Sequence, residues 1–211
     1  MKRIIIFVLL LLSGLLNAQI TVKGIVTEQN SGNKPIQGVQ IKALGSTPEL
    51  TDNAGLFQLI FANKKAGDRI IVSEISKKGY EIVNKDLVNN WLITNNLNER
   101  TKIVMCPEGI IAQNTLKYYD ISLSGLTKGY NDRNKLLKEQ LDKSEIDVKT
   151  FSKLADSLAQ QFQNQQKQLE ELSDKFAREN FDDCSEIHQK AFDAFRQGNI
   201  EEAILLLETV N

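Results

Sequence analysis

Acid–base and nucleophilic chemistry most often enlists histidine, and this chain has one, His188. Asp182, Asp183, Cys184, Ser185 and Glu186 stand just before it. Two chemistries can be drawn from these residue types. A Ser-His-Asp or Cys-His arrangement would take His188 as its base, beside Ser185 or Cys184. A metal site would gather Asp182, Asp183, Cys184, Glu186 and His188. The local grammar speaks against both. The stretch is charged and helical, with no nucleophile setting around Ser185 or Cys184. Asp183 followed three residues later by Glu186 reads as a capping-box variant at a helix start, and that reading is preferred. Asp52 and Asn53 could touch a calcium ion, but the further oxygen ligands such an ion wants are missing, so they are read as a turn. No phosphate loop or dinucleotide fingerprint is present. The expectation is no catalytic residue, no cofactor-binding residue, no metal ligand and no cofactor, hence not an enzyme.

Charge narrows the partners. Lys and Arg number 26 against 27 Asp and Glu, a formal net charge of -1. Neutralising phosphates needs a basic surface, so a nucleic-acid partner is set aside. The two cysteines, Cys106 and Cys184, are far apart in sequence. They could pair in an oxidising compartment, but nothing in the sequence brings them together, and two separately buried or free thiols are the preferred reading.

The first residues bear on the compartment. Lys2 and Arg3 form a short basic region, residues 4–12 are an unbroken apolar run, and Leu15 and Leu16 extend it. Asn17, Ala18 and Gln19 then turn the chain polar. This is the pattern of a secretory signal peptide, cut after Ala18. The alternative is an uncleaved anchor, for which the run is short against about 20 apolar residues. With no Cys at the new N-terminus, lipid attachment there is not expected.

The elements that must carry any site change character partway along. From Gln19 to about Cys106 the chain alternates with period two. Residues 20–23 with Val26 and Thr27, residues 39–43 and residues 57–61 are the clearest cases, joined by the apolar stretches 69–72 and 102–105. Such alternation buries one face of a strand. Asn30-Ser31-Gly32-Asn33, Asp52-Asn53-Ala54-Gly55 and Ala66-Gly67-Asp68 supply turns between them. Several short strands so spaced suggest a sandwich or barrel.

Three blocks carry a resemblance. Val22-Lys23-Gly24-Ile25-Val26, then residues 34–41 (Lys-Pro-Ile-Gln-Gly-Val-Gln-Ile), then residues 51–59 (Thr-Asp-Asn-Ala-Gly-Leu-Phe-Gln-Leu) resemble the carboxypeptidase regulatory-like family. Gly67-Asp68 and Gly79-Tyr80 fit its continuation. The resemblance implies a transthyretin-like, seven-stranded Greek-key sandwich. Residues 81–100, with Trp91, depart from the family's short connection and read as an inserted loop or short helix. Gly24 is read as a bulge or close approach, Pro35 as a residue placed where no ladder hydrogen bond is needed, and Asp52 and Gly55 as the brackets of a tight turn. A metallocarboxypeptidase zinc site needs two His and a Glu. One histidine cannot supply that, so the resemblance is to the accessory domain alone.

From about Glu108 the period becomes helical. Tyr130, Leu137, Leu141, Val148, Phe151, Ala155, Leu158, Phe162, Leu169, Leu172 and Phe176 fall at alternating intervals of three and four, with Asn134, Ser144 and Gln165 in the polar slots. That is a coiled-coil seam. Ser144-Glu145-Ile146-Asp147 looks like a fresh helix start, so the region is either one long helix or a hairpin of two, and a hairpin is slightly favoured. Residues 191–204 then resemble the middle of a tetratricopeptide repeat, with Ala191, Gly198 and Ala203 at its small-residue places and Leu207 one turn on. Ile200 replaces the common Tyr. One repeat is visible where about three are generally needed, so either the upstream helices act as its neighbour or the chain is the front part of a longer protein.

The expected fold class is α+β in separate domains: an N-terminal transthyretin-like β-sandwich followed by an all-α coiled-coil and helix-pair repeat region. The boundaries are 1–18 signal peptide, 19–107 sandwich, 108–180 long helical region and 181–211 helix pair. The expected function is a non-catalytic secreted or envelope scaffold that binds a protein, or a glycan. The protein partner would be met through the helical region, with self-association and envelope association as further expectations. The resemblances imply a periplasmic or outer-membrane-associated protein of a Gram-negative bacterium of the Bacteroidetes type. The alternative is an accessory part of an enzyme or receptor whose active part lies on a partner or beyond residue 211.

Overall fold

The computed structural model describes residues 19–96 and 98–209. The expected signal peptide, residues 1–18, lies outside the described residues. The chain is of the α+β class and divides into two compact units between Met105 and Cys106.

The first unit is built from strands β1 (Ile20–Glu28), β2 (Gln40–Ala43), β3 (Glu49–Leu50), β4 (Leu56–Phe61), β5 (Val72–Ser76), β6 (Tyr80–Ile82) and β7 (Arg100–Pro107), with the short helix α1 (Lys85–Asn89) before β7. They form a four-stranded sheet, β4-β1-β7-β6, and a three-stranded sheet, β3-β2-β5. β1 runs antiparallel to β4 and parallel to β7. Period two sets the faces: Phe57, Leu59 and Phe61 are buried, while Gln58 and Ile60 point to solvent. Both sheets contribute to one core, with Val26, Val39, Ile41, Leu59, Phe61 and Ile103 among its members.

Local chemistry explains the turns. The Asp52 carboxylate accepts from the amides of Ala54 (2.9 Å) and Leu56 (2.8 Å), and Gly55 has φ +72°. A Cβ at Gly55 would collide with the Val26 carbonyl oxygen, so both conformation and space demand glycine there. Gly24 faces Phe57 in the β1–β4 register, and a Cβ on it would overlap the Phe57 ring. Pro35 lies opposite Thr27, between the Glu28 amide bonded to the Lys34 carbonyl and the Ile36 amide bonded to the Val26 carbonyl. Its missing N–H therefore breaks no ladder bond.

The expected strand at residues 69–72 is corrected. β5 starts only at Val72 and pairs with β2. Residues 68–70 pair instead with the inserted stretch, through Ile70 N–H to the Trp91 carbonyl (2.9 Å) and Ile93 N–H to the Asp68 carbonyl (2.9 Å). The insert thereby places Val88, Trp91 and Ile93 in the core, Trp91 edge-on to Phe57 at 6.0 Å. Partners distant in sequence decided this pairing, and they leave no local signal.

The second unit holds α2 (Ile110–Asp142), α3 (Val148–Ala177), α4 (Glu186–Arg196) and α5 (Ile200–Glu208). Of the two expected forms it adopts the hairpin. Tyr130 of α2 meets Phe162 of α3 at 4.8 Å, while Tyr119, earlier in α2, lies by residues 163–170, so the helices run antiparallel. The expected helix start at Ser144 is corrected to Asp147. Ser144 sits in the left-handed region, φ +57°, and Asp147 is the N-cap, its carboxylate accepting from the Thr150 amide at 2.6 Å. The turn interrupts the seam. Leu158, Leu169, Leu172 and Phe176 are buried, but Val148, the first residue of α3, is 72% exposed. The capping box at Asp183 is likewise corrected. Ser185 is the N-cap of α4, its hydroxyl accepting from the His188 amide, while Asp183 accepts from the Asn180 side-chain amide at 2.6 Å.

Candidate functional site

Small residues on α2 shape the site. Ser122 is buried and its hydroxyl donates to the Phe195 carbonyl at 2.7 Å, one of the carbonyls at the end of α4. One turn on, Gly125 meets the α4–α5 turn backbone to backbone. A Cβ at Gly125 would strike the Gln197 carbonyl, and one at Gly198 would strike the Leu126 amide. Gly198 also has φ +81°. Two glycines thus let the turn lie flat on α2, where any side chain would hold the backbones apart.

Gly129, one further turn along, differs. A Cβ there would meet nothing within 4 Å. Glycine inside a helix costs about 1 kcal/mol relative to Ala, and no close approach in the unit accounts for it. Above it opens a groove of about 310 Å³ between α2, α3 and the start of α5. Tyr130, Phe162 and Ile200 give it an apolar floor; Arg133, Gln161 and Glu202 give it a polar rim. Gln165 closes one side by donating to the Glu201 carboxylate at 3.0 Å. At this end α5 begins without a side-chain cap from Asn199, and Glu201 and Glu202 occupy its first turn, where the helix dipole favours acids. The seam's Gln165 thus links α3 to the first turn of α5 at the groove edge.

The residues around His188 make local contacts. The Ser185 hydroxyl lies 3.1 Å from His188 Nδ1, but the same hydroxyl caps α4. Cys184 Sγ lies 3.1 Å from a Glu179 carboxylate oxygen and 3.4 Å from the Asn180 carbonyl. Burial, then Glu179, push its pKa up to about 12, so it stays a thiol and a poor nucleophile at neutral pH. Among the described residues no group of three or more His, Cys, Asp or Glu is placed to hold a metal ion. Asp52 spends its carboxylate on turn amides. Cys106 and Cys184 are not joined as a disulfide.

Sequence reasoning passed over Ser122, Gly125 and Gly129. Their spacing of three and four on one face of a long helix was the available signal, since small residues at such intervals mark where another backbone approaches or where space is left. No model of a known family, no curated protein and no solved structure matches the chain.

Proposed function

We propose that this protein is an exported, non-catalytic scaffold of the cell envelope that binds a protein partner in the α2–α3–α5 groove of its helical unit. The groove carries the proposal: an aromatic floor, a rim of amides and charges, and a helix glycine whose only evident consequence is the space above it. Mixed apolar and polar linings of this kind suit reversible recognition of a side chain or an extended segment. Two sheets around a shared core support the transthyretin-like sandwich reading of the strand unit. Buried Ala191 and Ala203 on either side of a positive-φ Gly198 support the tetratricopeptide-like reading of α4 and α5. In that reading the hairpin α2–α3 serves as the neighbouring repeat. The apolar run at residues 4–16 supports export, and N-terminal sequencing of the secreted protein, expected to begin at Gln19, tests it.

Gly129→Leu tests the groove. The substitution fills space without striking the packed face, so the melting temperature is expected to hold or rise. Photo-crosslinking from Gln161 in the native host is expected to trap a discrete partner in the parent chain and lose it in the variant. Equal crosslinking by both chains would sink the reading.

A further inference from the structure

Outside the groove, three large apolar side chains of the strand unit gather on one outer face. In residues 69–71, Ile70 points into the core, while Arg69 and Ile71 point out. In residues 91–93, Trp91 and Ile93 point in and Leu92 points out. Arg69 and Leu92 stand opposite each other in an antiparallel bridge, which puts their side chains on the same side. On the other flank the Leu44 amide donates to the Ile71 carbonyl at 2.8 Å. Ala43, paired with Val72, is buried, so Leu44 turns outward. Leu44, Ile71 and Leu92 are 65%, 54% and 53% exposed. Single exposed apolar residues need no explanation, but three on one outer face from three separate segments do.

The same face is cationic. The Lys64 ammonium donates to the Arg69 carbonyl at 2.8 Å, and the Arg69 guanidinium donates to the Asn89 carbonyl and the Asn90 side-chain oxygen. Lys65, next in the chain to Lys64, is exposed. Among the described residues none of these three cations forms an ion pair. Asp68 is the one acid between Lys64 and Val72, and its carboxylate is held by the Lys65 amide at 2.9 Å. Protein–protein interfaces are depleted in lysine. Exposed apolar side chains flanked by Lys and Arg that form no ion pair fit the boundary of a bilayer, where apolar groups enter below the headgroups and cations meet anionic lipid. We propose that the strand unit docks on an anionic phospholipid surface, inserting Leu44, Ile71 and Leu92 and presenting Lys64, Lys65 and Arg69 to the headgroups. This goes beyond the scaffold reading and is independent of it, because the groove belongs to the helical unit.

Amide-hydrogen exchange of the full chain, resolved by segment, tests the docking whatever else holds the chain to a vesicle. The probes are vesicles of phosphatidylglycerol mixed with phosphatidylcholine, and vesicles of phosphatidylcholine alone. Exchange at residues 44–47, 64–72 and 91–94 is expected to slow on the anionic vesicles only, and to recover at high salt as screening shortens the reach of the cations. The slowing is expected to vanish both in Leu44→Ser/Ile71→Ser/Leu92→Ser and in Lys64→Glu/Lys65→Glu. The second variant leaves the apolar residues in place, so it reads the surface even if the first is poorly folded. Four outcomes would overturn the proposal: no slowing on either vesicle, equal slowing on both, slowing retained by the charge-reversal variant, or slowing without vesicles that grows with chain concentration. The last would assign the face to a second copy of the chain.

Discussion

The strand unit and the helical unit bury their apolar residues differently. In the strand unit β1, β2 and β4 alternate, and Val26, Val39, Ile41, Leu59, Phe61 and Met105 close on a core drawn from both sheets. In the helical unit burial is graded along the hairpin. Leu169, Leu172 and Phe176 close on Ala191, Ala194, Phe195 and Ile200, whereas Leu137, Leu141 and Phe151, towards the turn, are only half-buried and Val148 is exposed. A sheet paired with a second sheet supplies its own opposing face. An amphipathic helix buries its stripe only over the length that another element covers. The same seam residues therefore range from essential to idle according to position.

That contrast is sharpest at Phe57. It is buried, edge-on to Trp91, and seated over Gly24. Phe57→Ala is expected to cost about 3–5 kcal/mol, a large part of the stability of so small a unit. Trp91 is the lone tryptophan and lies in this unit, so its fluorescence follows the strands while the helical circular dichroism follows the hairpin. An unchanged fluorescence melt would mean the two sheets do not share the core described.

Within the hairpin, Leu169→Ala is expected to destabilise by about 2–5 kcal/mol, the range for a buried leucine. Val148→Ala, on the same seam, should stay within about 0.5 kcal/mol. Equal losses at both would restore a uniform coiled coil and erase the gradient. Ala203→Phe, at the crossing of α4 and α5, should overpack it by about 1–3 kcal/mol. Helical circular dichroism in urea reads all three, and an Ala203→Phe chain as stable as the parent would show the helix pair is looser than its buried alanines imply.

The smallest effect concerns pH. The Asp147 carboxyl is held below its ordinary value by the hydrogen bond from the Thr150 side chain, then by the one from the Thr150 amide at the start of α3. A folded-state pKa below the unfolded one means the cap's contribution is complete above the unfolded value and is lost as pH falls through the folded one. Acid titration followed at the Thr150 amide should show the start of α3 fraying before the hairpin melts. Asp147→Asn, which can still cap but does not titrate, should remove that pH dependence. Fraying that persists in Asp147→Asn would place its cause elsewhere.

Period-two alternation located Phe57, Leu59 and Phe61 correctly, because the register of a half-buried strand follows directly from side-chain chemistry. The turn at Asp52 and Gly55 and the harmless position of Pro35 were equally legible, being matters of local hydrogen bonding and φ. The 3.5-residue seam told which face of the helices is apolar, and the Gly198 turn marked where α4 gives way to α5. Helix starts were misjudged by two or three residues at Ser144 and Asp183, since several oxygen-bearing side chains stand in a row there and the backbone selects one.

The sequence by itself determined the change from strands to helices near residue 106, the inward faces of β1, β2 and β4, and the count of one histidine. Only the tertiary structure decided that residues 68–70 pair with the insert, that burial of the seam thins towards the hairpin turn, and that Gly125 admits a backbone while Gly129 leaves a groove. It alone brought Leu44, Ile71 and Leu92 to one face. The physical reason is shared: periodicity and capping act within a few residues, whereas backbone contact and the gathering of exposed side chains depend on segments that meet only after the chain has folded.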